Sequence, residues 1–363
     1  MAFGRALLAA QYETSTFLIE LPQEEEFEMG NANRQIILKS RPSGLAGPEH
    51  FEEATAPIRM PDKGEVLVES VYLSIDPAMR VWMDKNPGYV PSVGIGDVMR
   101  AGGIGRVIES KIMGIKPGDY VQGRLGWQTH PTLPTVGTHK LDLSLGSIED
   151  WIGPLGTTAL TAWFGIHAVG ALAPSDTVLI SGAAGGVGQM AVQFAKLEGC
   201  YVVGIAGGPE KCRYLTKELG IDRAIDYRAA ADLNAVVAEA FPEGIDLYFD
   251  NVGGPTLDAA LANIRMKGRI ILCGRISQTA GLNRYGIIHT GLLIGKRARM
   301  EGFIVSDFND RYDEARQWIS AKLKSGELKQ QLHVIDGLES APSGLAMLFH
   351  GKNTGKLVVK VAD

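Results

Sequence analysis

The chain has 363 residues, with 36 Lys+Arg against 41 Asp+Glu for a net charge of −5, 45% hydrophobic residues and 21% charged ones. These are the proportions of a globular chain long enough for two domains, and they argue against nucleic acid as the main partner. No apolar run approaches the roughly 18 residues of a membrane span, and three cysteines (Cys200, Cys212, Cys273) are too few for a disulfide framework and point to a reducing, cytoplasmic setting.

Residues 1–28 read as a disordered tail. The apolar run Ala6–Ala10 is shorter than a signal-peptide core, Glu24-Glu25-Glu26 follows it, and Met29 is an alternative start. From Arg34 to about Leu155 the text is turn-rich and β-like. Val66–Val71 and Ile104–Glu109 are strand candidates, separated by Pro-Gly punctuation such as Lys116-Pro117-Gly118-Asp119.

The texture changes near Gly156. Thr157 or Thr158 is suited to N-cap a helix running to about Val169. Strands are then expected at Thr177–Ser181, Tyr201–Ile205, Ala224–Tyr227, Asp246–Asn251, Arg269–Cys273 and Met300–Val305. Helical stretches lie between them at Gln189–Leu197, Glu210–Leu219, Asp232–Ala240 and Thr256–Ile264. Such alternation implies a doubly wound parallel sheet. A further helix at about Asp310–Leu323 precedes β-like text ending in Lys356–Val361, which suggests that the chain returns to its first domain.

One segment carries chemistry. Thr177-Val178-Leu179-Ile180 is an apolar strand, and Gly182-Ala183-Ala184-Gly185-Gly186-Val187-Gly188 opens a helix directly after it. In that context a glycine-rich run is a dinucleotide fingerprint, because backbone N–H groups and a helix N-terminus can reach a pyrophosphate. The next strand ends at Ile205-Ala206-Gly207-Gly208 without the Asp or Glu that an NAD site places there, and Glu210, Lys211 and Arg213 follow. A cation in place of a carboxylate favours NADP, with Lys211 the first candidate and Arg213 the second. Asn251 and the Cys273–Ser277 turn close later strands at the ligand-binding edge of the sheet. Cys273 reads as a small residue packed near the cofactor rather than a nucleophile, since no His lies close to it in sequence. No CxxC, HExxH or HxH occurs, and His130, His139 and His167 are scattered, so no metal site is expected.

Taken together, Tyr72–Arg80, the Ala183–Gly188 loop, Glu210-Lys211-Cys212, Tyr248–Gly254, Cys273–Gln278, Glu301–Val305 and Gly351–Lys356 resemble the zinc-independent medium-chain dehydrogenase/reductases. Within them the likeness is to the prostaglandin reductase, alkenal double-bond reductase and bacterial curcumin reductase group, and it runs from about residue 33 to the C-terminus. The resemblance implies an α/β fold in which a GroES-like β domain (29–155 and 321–363) sits beside a Rossmann domain (156–320), with the active site in the cleft. It implies NADPH/NADP held by Gly185, Gly186, Val187 and Gly188 at the pyrophosphate, and by Lys211 and Tyr227 at the adenosine phosphate. Asn251, Cys273, Gly274, Arg275, Ile276, Ser277, Phe303, Ile304, Val305 and Asn353 would line the rest. The family has tyrosines where this chain has Ala78 and Thr279, and Tyr285 is the candidate to serve for a third. The implied activity is reduction of the C=C bond of an enone or alkenal by a homodimer, with a quinone reductase or a non-catalytic NADPH-binding protein as alternatives.

Overall fold

The computed structural model describes residues 32–281 and 285–362, so the expected tail over 1–28 lies outside the described residues. The chain first forms an antiparallel pair, β1 (Ala32–Leu38) and β2 (Phe51–Pro57). β3 (Glu65–Ser74), β4 (Gly103–Ser110), β5 (Tyr120–Gly123), β6 (Thr132–Pro134) and β7 (His139–Lys140) then build a largely antiparallel sheet.

β3 is buried along most of its length because both of its faces are covered. Val66, Val68 and Leu73 belong to the core of this first sheet, whereas Val71 and Tyr72 join the core shared with the second domain. Alternation holds for Val66 and Val68, and the irregularity in the pairing with β4 between Ser70 and Tyr72 breaks it, so that the consecutive Val71 and Tyr72 join the same core.

The second half alternates strands and helices. β8 (Thr177–Ser181), β9 (Tyr201–Ala206), β10 (Arg223–Asp226), β11 (Ile245–Asp250), β12 (Ile264–Leu272) and β13 (Arg299–Gly302) pair in parallel in the order β10-β9-β8-β11-β12-β13. This is the doubly wound sheet expected from the alternation. The strand order reverses between β8 and β11, where such sheets open a crevice for ligand.

β14 (Leu332–Asp336) and β15 (Lys356–Lys360) close the chain. β15 pairs antiparallel with β3, so the C-terminal strand belongs to the first sheet, with Leu357 and Val359 in its core and Val358 in the shared one.

Several boundaries differ from the expectations. The N-cap of the Thr157–Phe164 helix is Gly156, one residue before the expected threonine, and the run to Val169 finishes as a π turn. The helix expected over Thr256–Ile264 runs instead over Gly254–Ala262, because Pro255 fits its first turn. β12 therefore starts at Ile264, five residues earlier than expected. β13 stops at Gly302, and Val305–Arg311 coils into a 3-10 turn rather than extending the strand.

Candidate functional site

β8 delivers Ser181 to the crevice, and Gly182 turns the chain at φ +57°. Gly185 then N-caps the Gly186–Leu197 helix in an extended conformation, with no side chain capping its first amides. Those N–H groups are the orphans of a helix start and favour an anion. Gly185, Gly186 and Val187 keep partial exposure, while Gly188 is buried. A Cβ on Gly188 would fall 2.2 Å from the Gly182 carbonyl oxygen, so only glycine lets the helix sit this close to the turn. The loop thus fits a dinucleotide pyrophosphate.

At the next strand end β9 stops at Ala206 with no carboxylate on it. Asp226, at the end of β10, accepts from the Gly208 amide at 2.8 Å, and that hydrogen bond leads in holding its carboxyl below the ordinary value. Lys211 donates to the Gly351 carbonyl at 2.8 Å; burial, then the nearby Arg228 charge, lowers its pKa. Tyr227 is exposed, and the Arg228 guanidinium lies 5.8 Å from its ring centroid. Lys211, Tyr227 and Arg228 therefore gather at one end of the crevice, whereas Arg213 is solvent-exposed on the helix that follows β9. Arg228 escaped the sequence reading. Its signal is a cation one residue beyond Tyr227, meaningful only once β10 is known to lie beside β9.

β11 ends in Asp250, which is fully buried. Its Oδ1 accepts from Ser181 Oγ (3.0 Å), Tyr248 Oη (2.7 Å) and the Val252 and Gly253 amides (2.9 Å each). Burial outweighs these donors and raises its pKa. Asn251 Nδ2 donates to the Ser181 carbonyl at 2.7 Å, tying β11 to β8 at the switch point.

The turn after β12 folds back on this corner. The Cys273 and Gly274 amides both donate to the Asp250 carbonyl at 2.9 Å. Ser277 Oγ donates to the Val252 carbonyl at 2.6 Å, Arg275 is exposed, and Ile276 opens a 3-10 turn. Burial, then the Asp250 charge, pushes the Cys273 thiol up to about 12, so it remains protonated at neutral pH and is no nucleophile.

Beyond β13, Phe303 packs edge-on to Phe308, Ile304 is exposed and Val305 is half-buried. The C-terminal segment runs along the glycine-loop side of the crevice. Gly351 meets Lys211, Asn353 is buried with Nδ2 donating to the Gly355 carbonyl, and the Gly355 amide donates to the Ala184 carbonyl at 2.8 Å.

The short helix Ala78–Trp82 packs against the 3-10 turn Ile276–Gly281. Ala78 and Thr279 therefore sit on neighbouring walls. Thr279 is buried, and its hydroxyl donates to the Arg275 carbonyl at 3.2 Å. Tyr285 lies close by, its carbonyl accepting from Gln278 Nε2 at 3.0 Å, and its hydroxyl donates to Asp258 at 3.0 Å. Among the described residues no three His, Cys, Asp or Glu side chains form a group able to hold a metal ion, and no helix is long and apolar enough to cross a membrane.

Two family models match the chain: one described as the N-terminal domain of oxidoreductase over residues 34–141, and one as zinc-binding dehydrogenase over residues 186–321. The chain is 40% identical to the 2-alkenal reductase (NADP(+)-dependent) of Nicotiana tabacum, over 91% of this chain and 98% of that protein. It is 37% identical to the NADPH-dependent curcumin reductase of Escherichia coli strain K12, over 91% and 97%. The crystal structure of CurA in complex with NADPH from Vibrio vulnificus superposes with a TM-score of 0.86 at 36% identity, covering 91% of this chain and 99% of that one.

Proposed function

The chain belongs to the medium-chain dehydrogenase/reductases, in the group of the prostaglandin, alkenal and curcumin reductases, and on that premise we propose that it reduces the C=C bond of α,β-unsaturated ketones and aldehydes with NADPH. The observation that carries this reading is the match over nine-tenths of the chain to relatives named for that chemistry. The crevice supports the cofactor choice. An uncapped glycine-loop helix faces the switch point, β9 ends without the carboxylate an NAD site would hold, and Lys211 follows on the next helix.

When bound, NADPH supplies a hydride to the β-carbon of the acceptor. The chain's part is to bind, orient and stabilise charge. Gly185–Gly188 receive the pyrophosphate through backbone amides, while Lys211 and Tyr227, with Arg228 added from the structure, hold the adenosine phosphate. Asn251, the Cys273–Ser277 turn, Phe303–Val305 and Asn353 line the remainder of the nucleotide. Negative charge then grows on the acceptor carbonyl oxygen, and a hydrogen-bond donor aimed there lowers the barrier. Tyr285 is the side-chain hydroxyl for that task. Solvent supplies the α-carbon proton, so no strong acid is required of the protein. The small Ala78 and the inward-bonded Thr279 leave the acceptor pocket without two hydroxyls and with more room.

We read the working form as a cytoplasmic homodimer. The three cysteines are free thiols. β13 is the outer edge of the parallel sheet. The neighbouring Gly291–Lys296 helix buries none of its residues, and Ile288 and Ile294 are 71% and 83% exposed, which suits an apolar face covered by a second copy.

The test is NADPH absorbance with purified protein against a panel of enones, alkenals and quinones, with product identification. NADPH loss yielding the saturated carbonyl is expected. Turnover of quinones alone would move the chain to quinone reduction, and NADPH binding without any turnover would leave a cofactor-binding protein.

A further inference from the structure

Lys356 opens β15, and its side chain is only 4% exposed. A buried charge is costly unless it is well paired. Its ammonium donates to the Ile75 carbonyl at 2.9 Å and to Asp76 Oδ1 at 2.7 Å, and Asp76 also accepts from Ser74 Oγ. Asp76 is 27% exposed and immediately precedes Pro77, the N-cap of the Ala78–Trp82 helix on the proposed substrate wall.

The other end of the lysine lies against the nucleotide loop. A Cβ on Gly186 would be 3.1 Å from Lys356 Cδ. The preceding Gly355 amide bonds the Ala184 carbonyl, and the two segments touch as an isolated parallel bridge between Gly185 and Gly355. The Lys356 amide donates to the Gln331 carbonyl at 2.9 Å, which also accepts from Gln189 Nε2 of the loop helix at 3.1 Å. One residue thus meets the pyrophosphate loop at its stem and that wall at its tip.

A methionine would fill similar space beside Gly186 with no charge to desolvate, at the cost of leaving the Ile75 carbonyl and Asp76 without their donor. Packing therefore does not explain a lysine here, and a connection does.

We propose that Lys356 is a positioning residue: through its ion pair with Asp76 it ties the dinucleotide loop to the wall carrying Ala78, so that the occupied nucleotide crevice sets the place of that wall. The backbone offers a rival route, because the Ile75 amide donates to the Leu357 carbonyl at 3.2 Å. The lysine adds a tie beyond the end of the paired strand, to the residue where the chain turns into the wall. Hydride transfer is steep in distance, and a displacement near 1 Å costs on the order of 100-fold in rate. Only this kinetic consequence rests on the proposed function.

The experiment compares the full-length wild type with Lys356→Met and with Lys356→Met/Asp76→Asn. Hydrogen–deuterium exchange of residues 74–80 is measured with and without NADPH, alongside NADPH affinity by fluorescence and thermal unfolding. Wild type is expected to show slower exchange at 74–80 when NADPH is bound. Lys356→Met is expected to bind NADPH with a Kd within about 3-fold, to unfold below the wild-type temperature because Asp76 and the Ile75 carbonyl lose their donor, and to lose that protection. In the kinetic arm its kcat for the best enone should fall on the order of 10- to 100-fold with KM for NADPH little changed. The double variant should be no worse than the single one.

Protection of 74–80 that survives in Lys356→Met overturns the proposal and leaves the backbone route. A lower unfolding temperature with unchanged exchange coupling makes the pair a structural strut and overturns it equally. A wild type that reduces no enone sinks the proposed function, while the exchange comparison still decides the role of Lys356.

Discussion

The ammonium of Lys211 lies 2.8 Å from the carbonyl oxygen of Gly351, 140 residues further along the chain. That contact places a half-buried cation where the C-terminal segment meets the helix after β9, beside Arg228. Partial burial, and then the like charge of Arg228, depress the Lys211 pKa, a disadvantage that a phosphate would relieve. Lys211→Ala should weaken NADPH binding and leave NADH binding nearly unchanged. A charge-assisted hydrogen bond of about 1.5–3 kcal/mol corresponds to a loss on the order of 10- to 100-fold in Kd. Fluorescence titration with both nucleotides checks it, and equal weakening for the two would remove Lys211 from the phosphate site.

Gly188 gives a test of the loop itself. The Cβ of an alanine there would meet the Gly182 carbonyl oxygen at 2.2 Å and Ala183 Cα at 2.7 Å. Both neighbours are backbone, so neither can swing aside. Gly188→Ala should destabilise the fold by about 1–3 kcal/mol, the usual cost of overpacking, and displace the Gly185–Val187 amides from the cofactor. Thermal unfolding and NADPH titration measure the two effects. Wild-type values for both would show that the loop has slack the geometry does not reveal.

Cys273, just after β12 and beside Asp250, should be chemically quiet. Its thiol is pushed up to about 12, against an ordinary value of 9.0. The thiolate fraction between pH 7 and 9 is therefore reduced on the order of 1000-fold, and with it the rate of alkylation. Only as pH climbs toward the raised value does the thiolate appear. Mass spectrometry after iodoacetamide treatment should find Cys273 unmodified under conditions that label an exposed thiol fully. Cys273→Ala should keep kcat within about 2-fold, as expected for a residue with no covalent role. Rapid labelling at pH 8 would contradict the burial argument.

The doubly wound sheet and the glycine loop were legible because both are local. An apolar strand, a glycine-rich turn and a helix follow one another directly, and the period change is visible in the text. Lys211 lies where its distance from the end of β9 puts it, on the helix that follows. Arg228 was not legible, since its place depends on β10 lying next to β9, a matter of strand order rather than spacing. The Lys356–Asp76 pair joins residues 280 positions apart, and no local pattern announces it. The early start of β12 was missed because Ile264 continues the apolar helix pattern, and the chain turns only after Ala262. What pairing and packing decide across distant segments stayed hidden, and what the strand–turn–helix rhythm decides did not.

Tyr285 presents the sharpest question about catalysis. Its hydroxyl donates to Asp258, so its single proton is not free for an acceptor oxygen in this arrangement. Release is inexpensive for Asp258, whose Oδ1 keeps the Ile288 and His289 amides at 2.9 Å each, while His289 Nδ1 lies 3.0 Å from Oδ2. Burial pushes the Asp258 carboxyl up, but the His289 amide, the Tyr285 hydroxyl and the Ile288 amide outweigh it and hold it below its ordinary value. A depressed carboxyl gives its stabilisation above the unfolded-state pKa and loses it only as pH falls through the lowered folded value. The anchor is therefore intact throughout the neutral range, and kcat should show no step there on its account. If the hydroxyl turns from Asp258 to the developing oxyanion, Tyr285→Phe should lower kcat on the order of 10- to 100-fold, at or below the range for loss of one such donor, while NADPH affinity stays at wild type. Steady-state kinetics on one enone, with NADPH titration as the companion measurement, decides the matter. A kcat within about 2-fold of wild type would assign the oxyanion to a cofactor hydroxyl or to water, and would leave Tyr285 as an anchor of its own segment through Asp258.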